Sequence, residues 1–481
     1  MARNRQKLFR LTKFGDGLVN EALKEYDSIL KFCEANKEQK IHRQTFTNFH
    51  NGEGVERGTA VDCCIVLKIP NWRDDWEQIF EDVPDKIDDW NVYDHRWVGR
   101  KKLISDLKKK IGDNCRLLLL LGITGIGKTA LAQKVADDLQ TRFTKILRVN
   151  FDVDDSPRDF ASIADRWLEE LGETLAIADK QPMTILKRLS NHLRQERVLI
   201  LIDSLETLLT KSADGWGDFK DEYWVKFFEH FLMIESSQSL MFVTSQDLPT
   251  KIEGLASRYP NNYHKEILSG LQEEEQIALF EKMGLNVCLD SEDRNLLMRI
   301  GKIYRGHPLM LSVLGGEIVE SFAGNVRAFW GNAGEEIELV EKDLAEAEAQ
   351  IKVQSDDDWK LHKLTRGVFF KVYQSRLDKA FQRLKAQNPD AYLLICVAAI
   401  YRSPVQESGW LLQLERFIQR LRNQIYSKEQ QQQVLQDLFD RYLVEIASIN
   451  DSDRRVLEMH NLIRSVALEH RKDLFAELNL L

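Results

Sequence analysis

Cysteine is scarce, at six in 481 residues. Cys33, Cys63, Cys64, Cys115, Cys288 and Cys396 form no Cys-x-x-Cys pair and no Cys/His cluster at zinc spacing. They read as reduced core thiols, which excludes a disulfide framework or a structural zinc site. Excess positive charge is also lacking: 67 Lys and Arg stand against 76 Asp and Glu, for a net charge of −9. That balance excludes a global attraction to nucleic acid or to an anionic membrane, though not a local basic face. The opening MARNRQKLFRLTKFGDG has no apolar signal core. Apolar runs such as Leu117–Leu121 are far too short to span a bilayer. No membrane association and a cytoplasmic residence are therefore expected. No internal repeat of about 20–50 residues is visible.

What is present points to a soluble chain of several domains, since this length exceeds what one core accommodates. Over residues 1–90, Leu18, Val19, Ala22, Leu23 and Tyr26 recur at helical spacing. Asn51-Gly52 then breaks the pattern, and Pro70-Asn71-Trp72 closes the next segment. From about residue 112 short apolar strands alternate with helices, at 116–121, 146–151, 198–202, 240–244 and 264–268. Uninterrupted runs such as VLILI at 198–202 suit strands covered on both faces of a parallel sheet, so this part reads as α/β. After about 270 helical patterns dominate. An acidic stretch at 335–358 carries one apolar stripe, Ile337, Val340, Leu344, Ala347 and Ile351, and reads as an exposed amphipathic helix. The last section is helical with a hairpin signal, YLVEIAS, then NDSD, then RRVLEMH.

One motif carries most of the chemistry. Gly122-Ile-Thr-Gly-Ile-Gly127-Lys128-Thr129 matches G-x-x-x-x-G-K-[ST] at every defined position. Glycines let the backbone wrap closely, so that the N–H groups of Thr124, Gly125, Ile126 and Gly127 can face phosphate oxygens. Lys128 would reach the β- and γ-phosphates, the Thr129 hydroxyl would bind Mg²⁺, and the helix starting near Lys128, with Ala130 in its first turn, adds an N-terminal dipole that favours the anion. A buried strand precedes the loop and an amphipathic helix follows it, the context that this motif needs. The strand VLILID ends at Asp203, placed to hold the same magnesium ion together with Thr129. Glu206 either polarises an attacking water or is a solvated loop acid. A further strand, LMFVT, ends in Ser245-Gln246-Asp247. Gln246 or Ser245 could feel the γ-phosphate there, or simply solvate the strand end. The implied cofactors are ATP or ADP with Mg²⁺.

The order of these pieces resembles a known module. Val98-Gly99-Arg100, the phosphate loop, LILID with SLE, FVTSQD, LSGLQEEEQIALF, Gly306-His307-Pro308-Leu309 and Glu458-Met459-His460-Asn461 follow one another as in the NB-ARC module of STAND-class P-loop NTPases. The resemblance implies four units. These are a helix-turn-helix-like helical domain at 1–90, a P-loop domain with a parallel sheet at 91–260, a helical subdomain at 261–365 and a winged-helix subdomain at 366–481. It implies that the backbone of Val98, Gly99 and Arg100 borders the adenine, that Pro308 packs near it, and that His460 touches the β-phosphate of ADP. It also implies a signalling switch that is closed with ADP, opens or self-associates with ATP, and hydrolyses ATP slowly at most. Three departures stand against fast turnover. Ser204 replaces a second acid, Gln246 replaces a sensor arginine, and Asn461 replaces an aspartate. Members of the class usually carry repeat arrays after this module.

Residues 15–80 resemble, more faintly, a phage-repressor-like helix-turn-helix unit. Arg43, Gln44, Thr45 and Asn48, within residues 40–50, could reach base edges, and Arg3, Arg5, Lys7, Arg10 and Lys13 could meet phosphates. The alternatives for this unit are a DNA contact, which would make the chain a nucleotide-controlled transcription regulator, and a protein partner.

Overall fold

A computed structural model describes residues 8–24, 49, 55–73, 75–82, 97–152, 157–210, 216–234, 237–352, 358–449 and 454–478. The N-terminal unit contains β1 (Leu8–Leu11), α1 (Lys13–Leu23), β2 (Val55–Glu56), α2 (Arg57–Val66), α3 (Trp76–Ile79) and β3 (Phe80–Asp82). The sequence reading gave it helices alone. The strands form an antiparallel sheet of order β2-β1-β3, because Phe9 and Leu11 alternate into a core with Val19, Cys63 and Phe80. A period of two over so few residues is easily lost beside a helical pattern. Arg43, Gln44, Thr45 and Asn48 lie outside the described residues, as do Arg3, Arg5 and Lys7.

The next unit begins with α4 (Lys101–Gly112) and β4 (Leu117–Leu121), followed by α5 (Lys128–Leu139) and β5 (Lys145–Asn150). Then come α6 (Phe160–Glu170), α7 (Pro182–Gln195), β6 (Val198–Asp203), α8 (Glu222–Met233), β7 (Leu240–Ser245), α9 (Thr250–Ala256) and β8 (Tyr263–Ile267). Five strands make one parallel sheet of order β8-β4-β7-β6-β5. Helices cover both faces, which is why Leu117–Leu121 are at most 1% exposed and can be uniformly apolar. Each such side chain contributes about 1.5–3 kcal/mol by leaving water. Because β8 pairs with β4, the sheet continues past the boundary expected at 260. The order also puts β7 between β4 and β6, so that three strand ends meet at one edge.

Beyond the sheet lie α10 (Glu273–Lys282), α11 (Glu292–Ile303), α12 (Pro308–Phe322), α13 (Val326–Lys352) and α14 (Asp358–Gln387). The apolar stripe of α13 is less exposed than expected. Ile337 and Leu344 are buried, and the helix packs against α11 and α14. The chain ends with α15 (Pro389–Ala398), β9 (Val405–Gln406), α16 (Glu407–Arg422), α17 (Lys428–Asp440), β10 (Glu445–Ile449), β11 (Arg455–Glu458) and α18 (Asn461–Glu477). The hairpin signal corresponds to β10 and β11, which pair antiparallel with Ile446 opposite Leu457, and β9 extends their sheet. The boundary expected at 365 falls inside α14. One continuous core, from Leu271 to Phe475, joins the helical region to the C-terminal unit across it. Among the described residues no helix is long and apolar enough to cross a membrane. Cys63, Cys64, Cys115 and Cys396 are buried free thiols, whereas Cys288 is exposed, correcting the expectation that all are core residues.

A buried charge cluster ties α12 to α14. The Glu317 carboxylate, 3% exposed, accepts hydrogen bonds from Arg376 and Arg383. Removing one partner from such a cluster strands buried charge. Glu317→Ala is expected to lower unfolding stability by about 3–5 kcal/mol. A urea titration showing a loss below about 1 kcal/mol would mean that the two arginines find other partners.

Candidate nucleotide site

The phosphate loop is shaped from outside. Strand β4 ends at Gly122, whose N–H donates to the Ser245 carbonyl of β7 at 3.3 Å. Gly125 and Gly127 have φ of +76° and +90°, a region costly for residues with a Cβ. At Gly125 a Cβ would also lie 2.8 Å from Cε1 of His307. Four of the loop carbonyls are taken by side-chain donors. His307 Nε2 donates to the Thr124 carbonyl at 2.9 Å, the Arg100 guanidinium donates to the carbonyls of Ile126 and, at 3.3 Å, Gly127, and Lys128 Nζ donates to that of Ile123 at 3.1 Å. In a trans peptide the next N–H points the opposite way. Fixing these carbonyls therefore aims the amides of Thr124, Gly125, Gly127 and Lys128 away from their partners and toward one another's side, a concave set suited to an anion.

Arg100 reaches this position from a left-handed backbone, φ +57°, and its own N–H donates to Glu275 of α10. Burial lowers its pKa to about 10, with Glu275 opposing, so it stays charged at neutral pH. The resemblance concerns the backbone of this segment; the Arg100 guanidinium itself binds the loop carbonyls and also donates to the Ser269 carbonyl at 3.3 Å.

The strand ends supply the acids. Thr129 Oγ lies 2.9 and 3.1 Å from the two oxygens of Asp203, and Thr244 donates to the same carboxylate. Burial raises the pKa of Asp203, against the pull of Thr244 and Thr129. Burial likewise raises that of Glu206, which accepts the Gln246 N–H at 3.0 Å. The Lys128 pKa is lowered by burial, with Glu206 and Asp203 opposing. Ser204, in the place of a second acid, donates to Asp152 Oδ2 at 2.6 Å. Asp152 thus brings a carboxylate from the end of β5, which the sequence reading missed. Its only signal was the pairing of adjacent strand ends, Asn150 opposite Asp203.

These groups surround a cavity of about 700 Å³, large enough for a nucleotide. Thr124, Gly125, Gly127, Lys128, Thr129 and Ala130 line its floor. Asp203, Glu206 and Gln246 line one wall, joined by Asp152. Val98, Arg100 and Pro308 line the other side with Trp97, Leu271 and Met283, an apolar slot that fits a base. The far wall comes from the C-terminal unit and includes His460 and Asn461. Gly99, Gly122 and Ile126 are not part of the lining: Gly122 joins β7, Ile126 is buried beneath the loop, and the Gly99 carbonyl accepts from Trp97 Nε1 at 3.1 Å. The hydroxyl of Thr129 against the carboxylate of Asp203 is a hard-oxygen pair suited to Mg²⁺. A polyphosphate set beside Asp152, Asp203 and Glu206 also needs added positive charge, which that ion would provide.

The model of an AAA domain matches residues 111–245. This part of the chain is a P-loop NTPase domain. An uncharacterized WD repeat-containing protein of Nostoc sp. is 29% identical over 249 residues, 48% of this chain but 18% of that protein. The chain thus spans less than a fifth of that relative. Among solved structures, a STAND protein with a tetratricopeptide repeat sensor from Pyrococcus horikoshii superposes with a TM-score of 0.43 at 15% identity, covering 79% of this chain and 45% of that one. The ORC1 protein of Aeropyrum pernix in complex with DNA gives 0.34 at 14% identity, covering 82% and 98%.

Two histidines face the loop from the two later units, and both are held neutral. His307 Nδ1 accepts the Met310 N–H at 3.3 Å while Nε2 carries its proton to Thr124, so no further proton fits. Burial depresses its pKa to about 3. Burial, with Lys128 nearby, depresses that of His460 to about 4. His460 keeps an edge open to the cavity. Unfolding lets both take up protons near pH 6.5, so their contribution is present above 6.5 and lost as pH falls toward 4. Melts from pH 7.5 to 5 should show His307→Asn/His460→Asn losing less stability on acidification than wild type, by up to about 1.4 kcal/mol per histidine for each pH unit. Identical slopes would show that neither ring is buried neutral.

Proposed function

We propose that the chain is an ATP/ADP-operated signalling switch of the STAND type, with residues 91–475 acting as an NB-ARC module. One observation carries this reading: His460, from the C-terminal unit, lines the same cavity as Lys128 of the phosphate loop. A nucleotide bound there touches both, so its phosphates bias how the two units sit. The His460 ring accepts the Leu462 N–H at 3.1 Å on Nδ1, which leaves Nε2–H as a donor. In the closed form that donor meets the β-phosphate of ADP. A γ-phosphate needs the same space, so ATP favours release of the C-terminal unit, in which β9, β10, β11 and their helices form a winged helix. Mg²⁺ is held by Thr129 and Asp203. The freed surface supports self-association, and the N-terminal unit engages the downstream partner.

Slow hydrolysis fits this reading. Glu206 and Asp152 line the cavity with Asp203 and would orient the attacking water, while Ser204 stands where a second acid would follow Asp203. Turnover then resets the switch rather than driving metabolism. Binding of labelled ADP and ATP, phosphate release and particle size, measured on the same samples, test the proposal. Lys128→Ala should weaken both nucleotides by about 10- to 100-fold, the worth of a charge-assisted bond. His460→Ala should weaken ADP more than ATP, and wild type should enlarge with ATP alone. Fast turnover at constant size would point to a working NTPase instead.

A further inference from the structure

The sensor strand β7 ends in glutamine, where a sensor arginine was expected. An arginine nevertheless reaches that tip from elsewhere in the chain. Arg366, on α14, donates through one guanidinium nitrogen to the Gln246 carbonyl at 3.1 Å and Asp247 Oδ1 at 2.9 Å. Its other terminal nitrogen donates to the Gln246 side chain at 2.8 Å. Arginine has only donors, so the amide atom facing it is oxygen. The Gln246 NH₂ is thereby directed elsewhere. Gln246 lines the cavity between Glu206 and Lys128, and its backbone N–H is already anchored on Glu206 at 3.0 Å. The backbone of Gln246 is thus fixed through its N–H and its carbonyl, and its side chain through the amide oxygen, with the amide NH₂ left as a donor.

We propose that Arg366 is a positioning residue for terminal-phosphate recognition: it orients the Gln246 amide so that its NH₂ meets the γ-phosphate. This rests on the nucleotide reading and deepens it. Its consequence lies in where Arg366 comes from. Helix α14 belongs to the continuous core of the helical and C-terminal units, not to the sheet domain. The same helix places Tyr373 against His307, ring centroids 4.5 Å apart, and His307 holds the phosphate loop. The polarity of Gln246 therefore depends on how α14 is docked. Undocking α14 frees the amide to turn, and discrimination between a triphosphate and a diphosphate falls with it.

A double-mutant cycle on the full chain tests this, using binding of a non-hydrolysable ATP analogue and of ADP. Arg366→Ala and Gln246→Ala should each weaken the triphosphate by about 10-fold, with ADP within about 2-fold, and the double variant should be no worse than either. Arg366→Lys should restore part of the preference, since lysine supplies a charge but not the fork. Gln246→Glu separates the two roles. Its carboxylate keeps the Arg366 contact but has no N–H to offer, so folding is kept and triphosphate binding is lost. Equal losses for the two nucleotides, additive effects in the cycle, or full triphosphate binding by Gln246→Glu would each overturn the assignment. If wild type binds neither nucleotide, the nucleotide reading itself fails, which is a separate and recognisable result.

Discussion

The site depends on a set of backbone carbonyls held from behind. A loop rich in glycine has little reason to keep one conformation, and its amides form an anion cradle only if every peptide plane is turned the same way. Here the carbonyl of Thr124 is held by His307 and those of Ile126 and Gly127 by Arg100. Both holders are buried, one at 0% and the other at 7% exposure. Arg100 comes from the entry to the sheet domain, His307 from the start of α12. The phosphate loop is therefore built jointly by two units, and its shape carries information about how they are packed.

The same logic extends around the cavity. Gln246 at the sheet edge is gripped by Arg366 of α14, and the wall opposite the loop is formed by the C-terminal unit with His460. One core joins the helical region, which carries His307 and α14, to that unit. The buried pairing of Glu317 with Arg376 and Arg383 ties α12 to α14 within it. Charge sets the direction. Three carboxylates around Lys128 make the site poor at holding a polyphosphate alone, and a magnesium ion held by Thr129 and Asp203 would redress the balance.

The sheet and the phosphate loop were legible because local patterns specify them. Continuous apolar runs identified β4, β6 and β7, and the motif at 122–129 needed no tertiary knowledge. The hairpin of β10 and β11 was legible for the same reason. The unit boundaries at 260 and 365 were not, since β8 rejoins the sheet through non-local pairing and α14 runs without a break across the second. The roles of Asp152 and Arg366 were hidden for a related reason. Each reaches the site through a neighbour, Ser204 or Gln246, whose own sequence context names no partner. The resemblance singled out Arg100 for its backbone, and the role of its guanidinium in holding the loop carbonyls became visible only in the structure.

The central claim is that nucleotide state governs contact between the sheet domain and the C-terminal unit. The most direct measurement is the distance between dyes at Ile177, 91% exposed on the sheet domain, and Ile425, 77% exposed on the C-terminal unit, in a Cys33→Ser/Cys288→Ser background. Single-molecule energy transfer should give one narrow distribution with ADP and a second, distinct one with a non-hydrolysable ATP analogue. Lys128→Ala should abolish the change. One unchanged distribution, with both nucleotides demonstrably bound, would contradict the account.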